Sequence, residues 1–147
     1  TLPSMASMLD IEASLAAWHA NRIRLGIAQG PLDMAPGTVF PLDYGLAQIH
    51  GVDFQKGCFI GQEVTSRVHR KGSLKRKIHA VTFAQDAPVV GSEIIHGSRP
   101  VGHLVASHGR HAIALIREDA REEDLICETQ SLVISGGVFA AADPDMR

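Results

Sequence analysis

The chain has 147 residues, is 45% hydrophobic and carries a formal net charge of −2. That length and apolar content suit one domain, or a domain and a half, with a real core, and the near-neutral balance excludes a global electrostatic pull toward nucleic acid or an anionic membrane. No apolar run reaches the ~20 residues that span a bilayer, and no secretory signal pattern opens the sequence.

Residues 1–12 are poorly patterned, with Pro3 and scattered methionines, and read as a loop or frayed entry. Leu15, Trp18, Ile23 and Leu25 then predict an amphipathic helix within Ala13–Ile27 that ends at Gly26 or Gly30. Trp18 reads most simply as a core residue on the helix face, with ring stacking on a ligand as the other role open to it. Gly30 to Asp43 holds Pro31, Pro36, Gly37 and Pro41 and is a loop by composition. A short helix is expected over Tyr44–His50, with Asp43 either capping it or facing a ligand amine.

The most informative stretch is Lys56-Gly57-Cys58-Phe59-Ile60-Gly61-Gln62-Glu63-Val64-Thr65-Ser66-Arg67, closing at Gly72. Gly57 and Gly61 flank the cysteine and permit a sharp turn or the close approach of a ligand. Ile60, Val64 and Val68 recur every fourth residue, the period of an apolar helix stripe. Glu63 falls where a helix favours negative charge, and Arg67, His69, Arg70 and Lys71 fall where it favours positive charge. Gly72 stands at the expected left-handed cap. Glu63 and Arg67 have the spacing of a helix-surface ion pair. A helix of about two to three turns follows.

A thiol near a helix start, with Lys56 close by, is expected to have a lowered pKa and more thiolate at neutral pH. The plainer reading of Cys58 is a small buried hydrophobe, but two glycines, a lysine and the polar Gln62-Glu63 pair are odd choices for plain core packing. Cys127 is the other cysteine, and no C-x-x-C occurs, which argues for reduced thiols in a reducing compartment with one disulfide left open.

The run Lys-Gly-Cys-x-x-Gly-Gln-Glu from Lys56 to Glu63, with Arg67 and Gly72 behind it and Gly51-Val52-Asp53-Phe54 ahead, resembles the signature of the YgfZ-type folate-binding proteins. These are relatives of the glycine-cleavage aminomethyltransferase (T-protein) that support iron–sulfur cluster proteins. The resemblance implies a tetrahydrofolate cofactor and iron–sulfur enzymes or assembly factors as partners. It also implies a reactive role for Cys58 assisted by Lys56, in a motif supported by Gly57, Gly61, Gln62, Glu63, Arg67 and Gly72. Trp18, Arg22 and Asp43 become candidates for folate contact. The family's Arg-Ile-Glu-Ala-Gly-Ile-Pro-like segment stands here as Arg22-Ile23-Arg24-Leu25-Gly26-Ile27-Ala28, without its carboxylate and proline. Family members carry a substantial N-terminal half, and this chain starts at Thr1, so it reads as a C-terminal fragment whose folate pocket is incomplete.

After Gly72 the period changes to that of strands: 77–83, 100–107, 111–117 and 131–135, punctuated by Gly91, Gly97, Gly102, Gly109 and Gly136-Gly137. Ser107-His108-Gly109-Arg110 predicts a hairpin turn, and Glu118 to Asp124 an acidic connector. Short strands at this spacing suggest a small antiparallel barrel, and the resemblance implies six strands. The expected architecture is α+β: residues 1–72 form the end of the folate-binding domain and residues 73–147 a C-terminal β-barrel.

His103, His108 and His111 form the tightest histidine cluster but lack a metal-finger spacing, so no metal site is expected. Arg67, Arg70, Lys71, Lys75, Arg76 and Lys77 read as a solvated helix end and strand start, with RNA phosphates or a folate polyglutamate tail as the alternatives. The expected function is a tetrahydrofolate-binding accessory protein for synthesis or repair of iron–sulfur enzymes, in the cytoplasm. The alternative is a folate-dependent aminomethyltransferase of the glycine-cleavage type. Neither a membrane nor a nucleic-acid partner is expected.

Overall fold

The computed structural model describes residues 5–57, 62–71, 74–121 and 124–137. Helix α1 spans Met5–Arg24 and α2 spans Gln62–Lys71. The strands are β1 Arg76–Phe83, β2 Glu93–His96, β3 Arg99–His108, β4 His111–Arg117, β5 Ile126–Cys127 and β6 Gln130–Gly136. They close into an antiparallel barrel in the order β1-β4-β3-β2-β5-β6, with β1 hydrogen-bonded to both β4 and β6. The predicted α+β class and six-stranded barrel are both present.

β4 explains why the barrel also carries the preceding segment. Its sequence His-Ala-Ile-Ala-Leu-Ile-Arg is apolar without alternation, the pattern of a strand covered on both faces. Ala112, Ala114 and Ile116 point into the barrel with Val81, Phe83, Ile94, Leu104 and Cys127. Ile113 and Leu115 point outward and pack with Ile78, Val105, Ile23, Ala28 and Tyr44. The outer face of β1, β3 and β4 is therefore the floor on which α1 and the loop after it rest. Burying a side chain such as Ile116, which is fully enclosed, stabilises by about 1.5–3 kcal/mol.

α1 ends as predicted near Gly26. Gly26 has φ +72°, its N–H donates to the Ile23 carbonyl at 3.0 Å, and the Ile27 N–H donates to the Arg22 carbonyl at 2.8 Å. This is a helix closed by a left-handed glycine. A Cβ on Gly26 would lie 3.0 Å from the Gly137 Cα and 3.2 Å from the Ala80 nitrogen, so the helix end seats directly on barrel backbone. At the β3–β4 hairpin, Gly109 takes φ +55° at the first position of a two-residue loop between the paired His108 and His111.

Several expectations change. Residues 5–12, expected as a loop, are helical, because α1 begins at Met5. Tyr44–His50 is not a helix but a chain of turns, including Gly45 N–H to the Leu42 carbonyl and His50 N–H to the Ala47 carbonyl, each 3.2 Å. Gly45 at φ +71° and His50 at φ +57° break the helical path there. Asp43 therefore caps no helix. The acidic connector is in part a 3-10 turn, Glu118–Ala120, that ties strands together by ion pairs. No helix among the described residues is long and apolar enough to cross a membrane.

A candidate site between the motif helix and the barrel

α2 carries the described half of the Lys-Gly-Cys motif. Glu63 sits in its first turn and pairs with Arg67 at 2.5 Å, the predicted four-residue bridge. Both side chains are exposed, so the pair contributes only about 0–1 kcal/mol. The His69 ring stacks on Phe54 at 3.7 Å, which ties the helix to the segment that leads into the motif. Cys58, Gly61 and Gly72 lie outside the described residues, and the side chain of Gln62 is likewise not described. Lys56 is exposed. Gly57 is exposed too, and a Cβ there would meet nothing within 4 Å. Crowding by the described residues therefore does not demand that glycine.

The apolar stripe of α2 does not disappear into a core. Val64 is 55% exposed, and with Val68 it forms one wall of a cavity of about 790 Å³. The opposite wall is barrel, with Val101 and Gly102 from β3 and Leu115 from β4. The loop at Phe40–Asp43 closes one end, and Lys75, Arg76, His103 and Arg117 supply its cationic and polar groups. Gly102 is required here by close approach, since a Cβ would lie 2.3 Å from the Leu115 carbonyl oxygen.

Asp43 is buried, and its backbone carbonyl accepts the Ile78 N–H at 2.9 Å. Burial pushes its carboxyl above the ordinary range, and the nearby Arg76 charge only partly opposes this. Burial also pushes His103 down, with Arg76 adding to the effect, so its imidazole is neutral at neutral pH. Arg117 is engaged by Asp119 at 2.8 Å, and Asp119 is shared with Arg99 at 3.0 Å.

The two remaining candidates sit elsewhere. Arg22 is buried and pairs with Asp33, whose carboxylate also accepts the Gln29 N–H at 2.8 Å. Arg22 further donates to His19 Nδ1 at 3.1 Å and lies 5.7 Å from the centre of the Trp18 ring. It is thus a structural clamp at the end of α1. Trp18 is 48% exposed, not a core residue, and its ring packs edge-on against His19, with centroids 4.9 Å apart. Neither residue lines the cavity that holds Asp43. Asp33 was missed in the sequence, where a lone aspartate in a Pro/Gly-rich loop gives no sign of a partner on the helix before it.

Other titratable groups have structural partners. His79, inside the barrel wall, is held to Glu118 by a 2.9 Å hydrogen bond, and Lys77 pairs with the same carboxylate at 3.0 Å. Burial lowers the His79 pKa despite Glu118, so a neutral ring donates from Nε2 to the carboxylate. Burial would raise Glu118, but its bonds to Lys77 and His79 outweigh that and lower it. Lys77 of the basic run is therefore not a free surface charge. Cys127 is a free thiol in the barrel core, pushed up to about 11 by burial and by Glu128. Of the histidine cluster, His103 faces the cavity, His111 contacts the Thr82 hydroxyl at 3.3 Å and His108 is exposed. Among the described residues no group of three or more His, Cys, Asp or Glu side chains is placed to hold a metal ion.

Comparison with known proteins places this geometry in a family. Residues 75–145 match the family model described as "CAF17, C-terminal beta-barrel domain". The chain is 34% identical over 104 residues to the human "Iron-sulfur cluster assembly factor IBA57, mitochondrial", an alignment covering 67% of this chain and 29% of that protein. The mouse protein of the same name is 31% identical over 121 residues, covering 78% and 34%. The Mycosarcoma maydis homologue is 38% identical over 85 residues, covering 54% and 21%. The chain thus spans 21–34% of the length of these relatives. The segment 75–145 thus belongs to the CAF17 C-terminal β-barrel domain family, in keeping with the YgfZ-type resemblance of the Lys-Gly-Cys motif before it.

Proposed function

We propose that this chain is part of a tetrahydrofolate-binding accessory protein that supports the synthesis or repair of iron–sulfur enzymes through a reactive thiolate at Cys58. The observation that carries the iron–sulfur part is its similarity to proteins named as iron–sulfur cluster assembly factors. Those relatives are named mitochondrial, so the cytoplasmic compartment expected from the sequence stays part of the proposal.

The thiolate rests on the motif. Cys58 lies four positions before Gln62, the first residue of α2, and two after Lys56. A positive side chain and a helix start both favour the anionic form of a nearby thiol. Glu63 and Arg67 bridge the first turns of the helix that follows the cysteine in sequence.

The chain's residues also fit a folate. The cavity beside α2 has the volume typical of a small-molecule site, apolar walls, and a few converging polar groups at Asp43, Arg76 and His103. When bound, tetrahydrofolate would supply a one-carbon carrier. The chain's own contribution would be to bind and orient it.

The test is replacement of Cys58 by Ala in the full-length protein, with iron–sulfur enzyme activities measured in cells that carry it. Loss of those activities at unchanged protein level is expected. Wild-type activities with C58A would sink the thiolate role. Failure of the full-length protein to bind tetrahydrofolate would remove the folate.

A further inference from the structure

The β3–β4 hairpin carries two histidines that neither the motif nor the cavity uses. His108 and His111 flank its two-residue turn and pair directly across the strands. On β4, Ala112 faces the barrel interior and Ile113 the outer face, so His111 lies on the outer face as well. Ala106 pairs with Ile113 and shares its cluster, which puts His108, two residues on, there too. Directly opposed side chains start about 4.5–5.5 Å apart at their Cβ atoms. The turn itself is clamped to neighbouring backbone: the Phe83 N–H donates to the Arg110 carbonyl at 2.9 Å, and the Ala87 N–H to the Gly109 carbonyl at 2.8 Å.

A chain of hydrogen bonds fixes which nitrogen of His111 carries the proton. The Ser135 hydroxyl donates to the Ala80 carbonyl at 3.2 Å, and a carbonyl can only accept. Ser135 has then used its one hydrogen, so the Thr82 hydroxyl donates to Ser135 at 3.3 Å. Thr82 has none left for the ring, so His111 Nδ1 holds the proton and donates it to Thr82 at 3.3 Å. Nε2 of His111 is left as a lone-pair donor. Metal-bound histidines are oriented in this way, by a hydrogen bond from the nitrogen that does not bind. The His108 side chain is exposed and makes no hydrogen bond or ion pair among the described residues. Asp86 stands beside the same turn, with Oδ1 3.9 Å from where a Cβ on Gly109 would lie, and its charge favours a cation there.

From two opposed imidazoles on one face of a clamped hairpin, one with its tautomer set, we infer that His108 and His111 form a binding site for a divalent transition-metal ion. His111 binds through Nε2 and His108 through one ring nitrogen. Water fills the remaining positions, because among the described residues no third His, Cys, Asp or Glu joins them as a ligand. Imidazole suits nickel, copper and zinc, whereas magnesium takes oxygen ligands. Copper binds tightest of the three by the general order of divalent ions. Neither histidine lines the cavity beside α2, and the site does not depend on Cys58 or on a folate.

The experiment is calorimetric titration of the untagged full chain with nickel chloride and with magnesium chloride, in a Cys58→Ala background that removes a competing thiol. Nickel is expected to bind one-to-one, and magnesium at least a hundredfold more weakly. His108→Gln and His111→Gln should each weaken nickel at least tenfold. Thr82→Val, at a residue that touches no metal, should weaken it about threefold, because the His111 ring loses the partner that orients it. Both histidines stand at the hairpin end outside the two apolar clusters, so the variants should fold, and equal melting temperatures without metal would check this. The electron paramagnetic resonance spectrum of the one-to-one copper complex gives a second readout that a loss of stability would not move. It should show coupling to two imidazole nitrogens in the wild type and to one in His108→Gln. Equal nickel affinity in wild type and the double variant, magnesium binding as tightly as nickel, or copper coupled to a single nitrogen in the wild type would each overturn the inference.

Discussion

The barrel and the two helices beside it treat apolar residues in opposite ways. In β1, β3 and β4 the apolar residues are spent on each other: Ile78, Ile113 and Ile116 have no exposed surface at all. On α1 and α2 the same kind of residue is left half open, as at Leu15, Trp18 and Val64. A closed barrel has no unpaired edge and supplies both partners of every contact. A helix lying on its outside can bury only the side it sits on. The barrel therefore stands as the scaffold, and the exposed stripes of the helices are the surfaces still available to a ligand or partner.

The largest test of this contrast sets two ion pairs against each other. Arg22 and Asp33 are 7% and 5% exposed, so Arg22→Ala strands a buried carboxylate and should cost about 3–5 kcal/mol in urea unfolding. Arg67→Ala, on an exposed pair, should cost less than about 1 kcal/mol. Comparable losses would mean that α2 is as tightly built in as α1. Next in size, Ile116→Ala removes a fully enclosed barrel side chain and should cost about 2–5 kcal/mol, whereas Val64→Ala should stay within about 0.5 kcal/mol. Gly102→Ala should cost about 1–3 kcal/mol, because the new methyl group meets strand backbone that must move.

The smallest effect is a pH dependence with two signs. His79 and Glu118 both have pKa values below their ordinary 6.5 and 4.5. Their contribution is therefore complete above those ordinary values and is lost as pH falls through the lowered ones. Asp43 has the opposite sign, since its pKa is raised above 3.8: it favours the folded state at low pH and loses that advantage as pH rises. Melting temperature should drop from pH 7.5 to 5, and His79→Gln should drop less over that range. Asp43→Asn should gain stability relative to wild type as pH rises above the carboxyl range. A His79→Gln profile parallel to wild type would show that the buried ring does not titrate in folding.

How much of this was legible in the sequence follows from chain separation. β1, β3 and β6 carry enough apolar residues to show their period, β4 reads as a strand by its continuous apolar run, and Gly26 and Gly109 mark turns that a side chain would strain. β2 and β5, of four and two residues, are too short for any pattern, and only their pairing partners make them strands. The start of α1 was hidden because residues 5–12 have no clear stripe, while Gly45 ended a helix that composition had suggested. The Glu63–Arg67 pair was readable because its partners are one turn apart. The cavity was not, since Asp43, Val64, Arg76, His103 and Leu115 come together only when the barrel closes beneath α2.

The activated thiolate proposed at Cys58 is tested by the pH dependence of its alkylation in the full-length protein, read site by site by mass spectrometry. Cys127 can stay in place: it is buried and its thiol is pushed up to about 11, so it should label only on unfolding, and replacing it would open the core. An activated thiolate gives Cys58 an apparent pKa well below the ~8.5 of a free cysteine, with fast labelling at neutral pH. A value at or above ~8.5 with slow labelling would make Cys58 an inert thiol and contradict it.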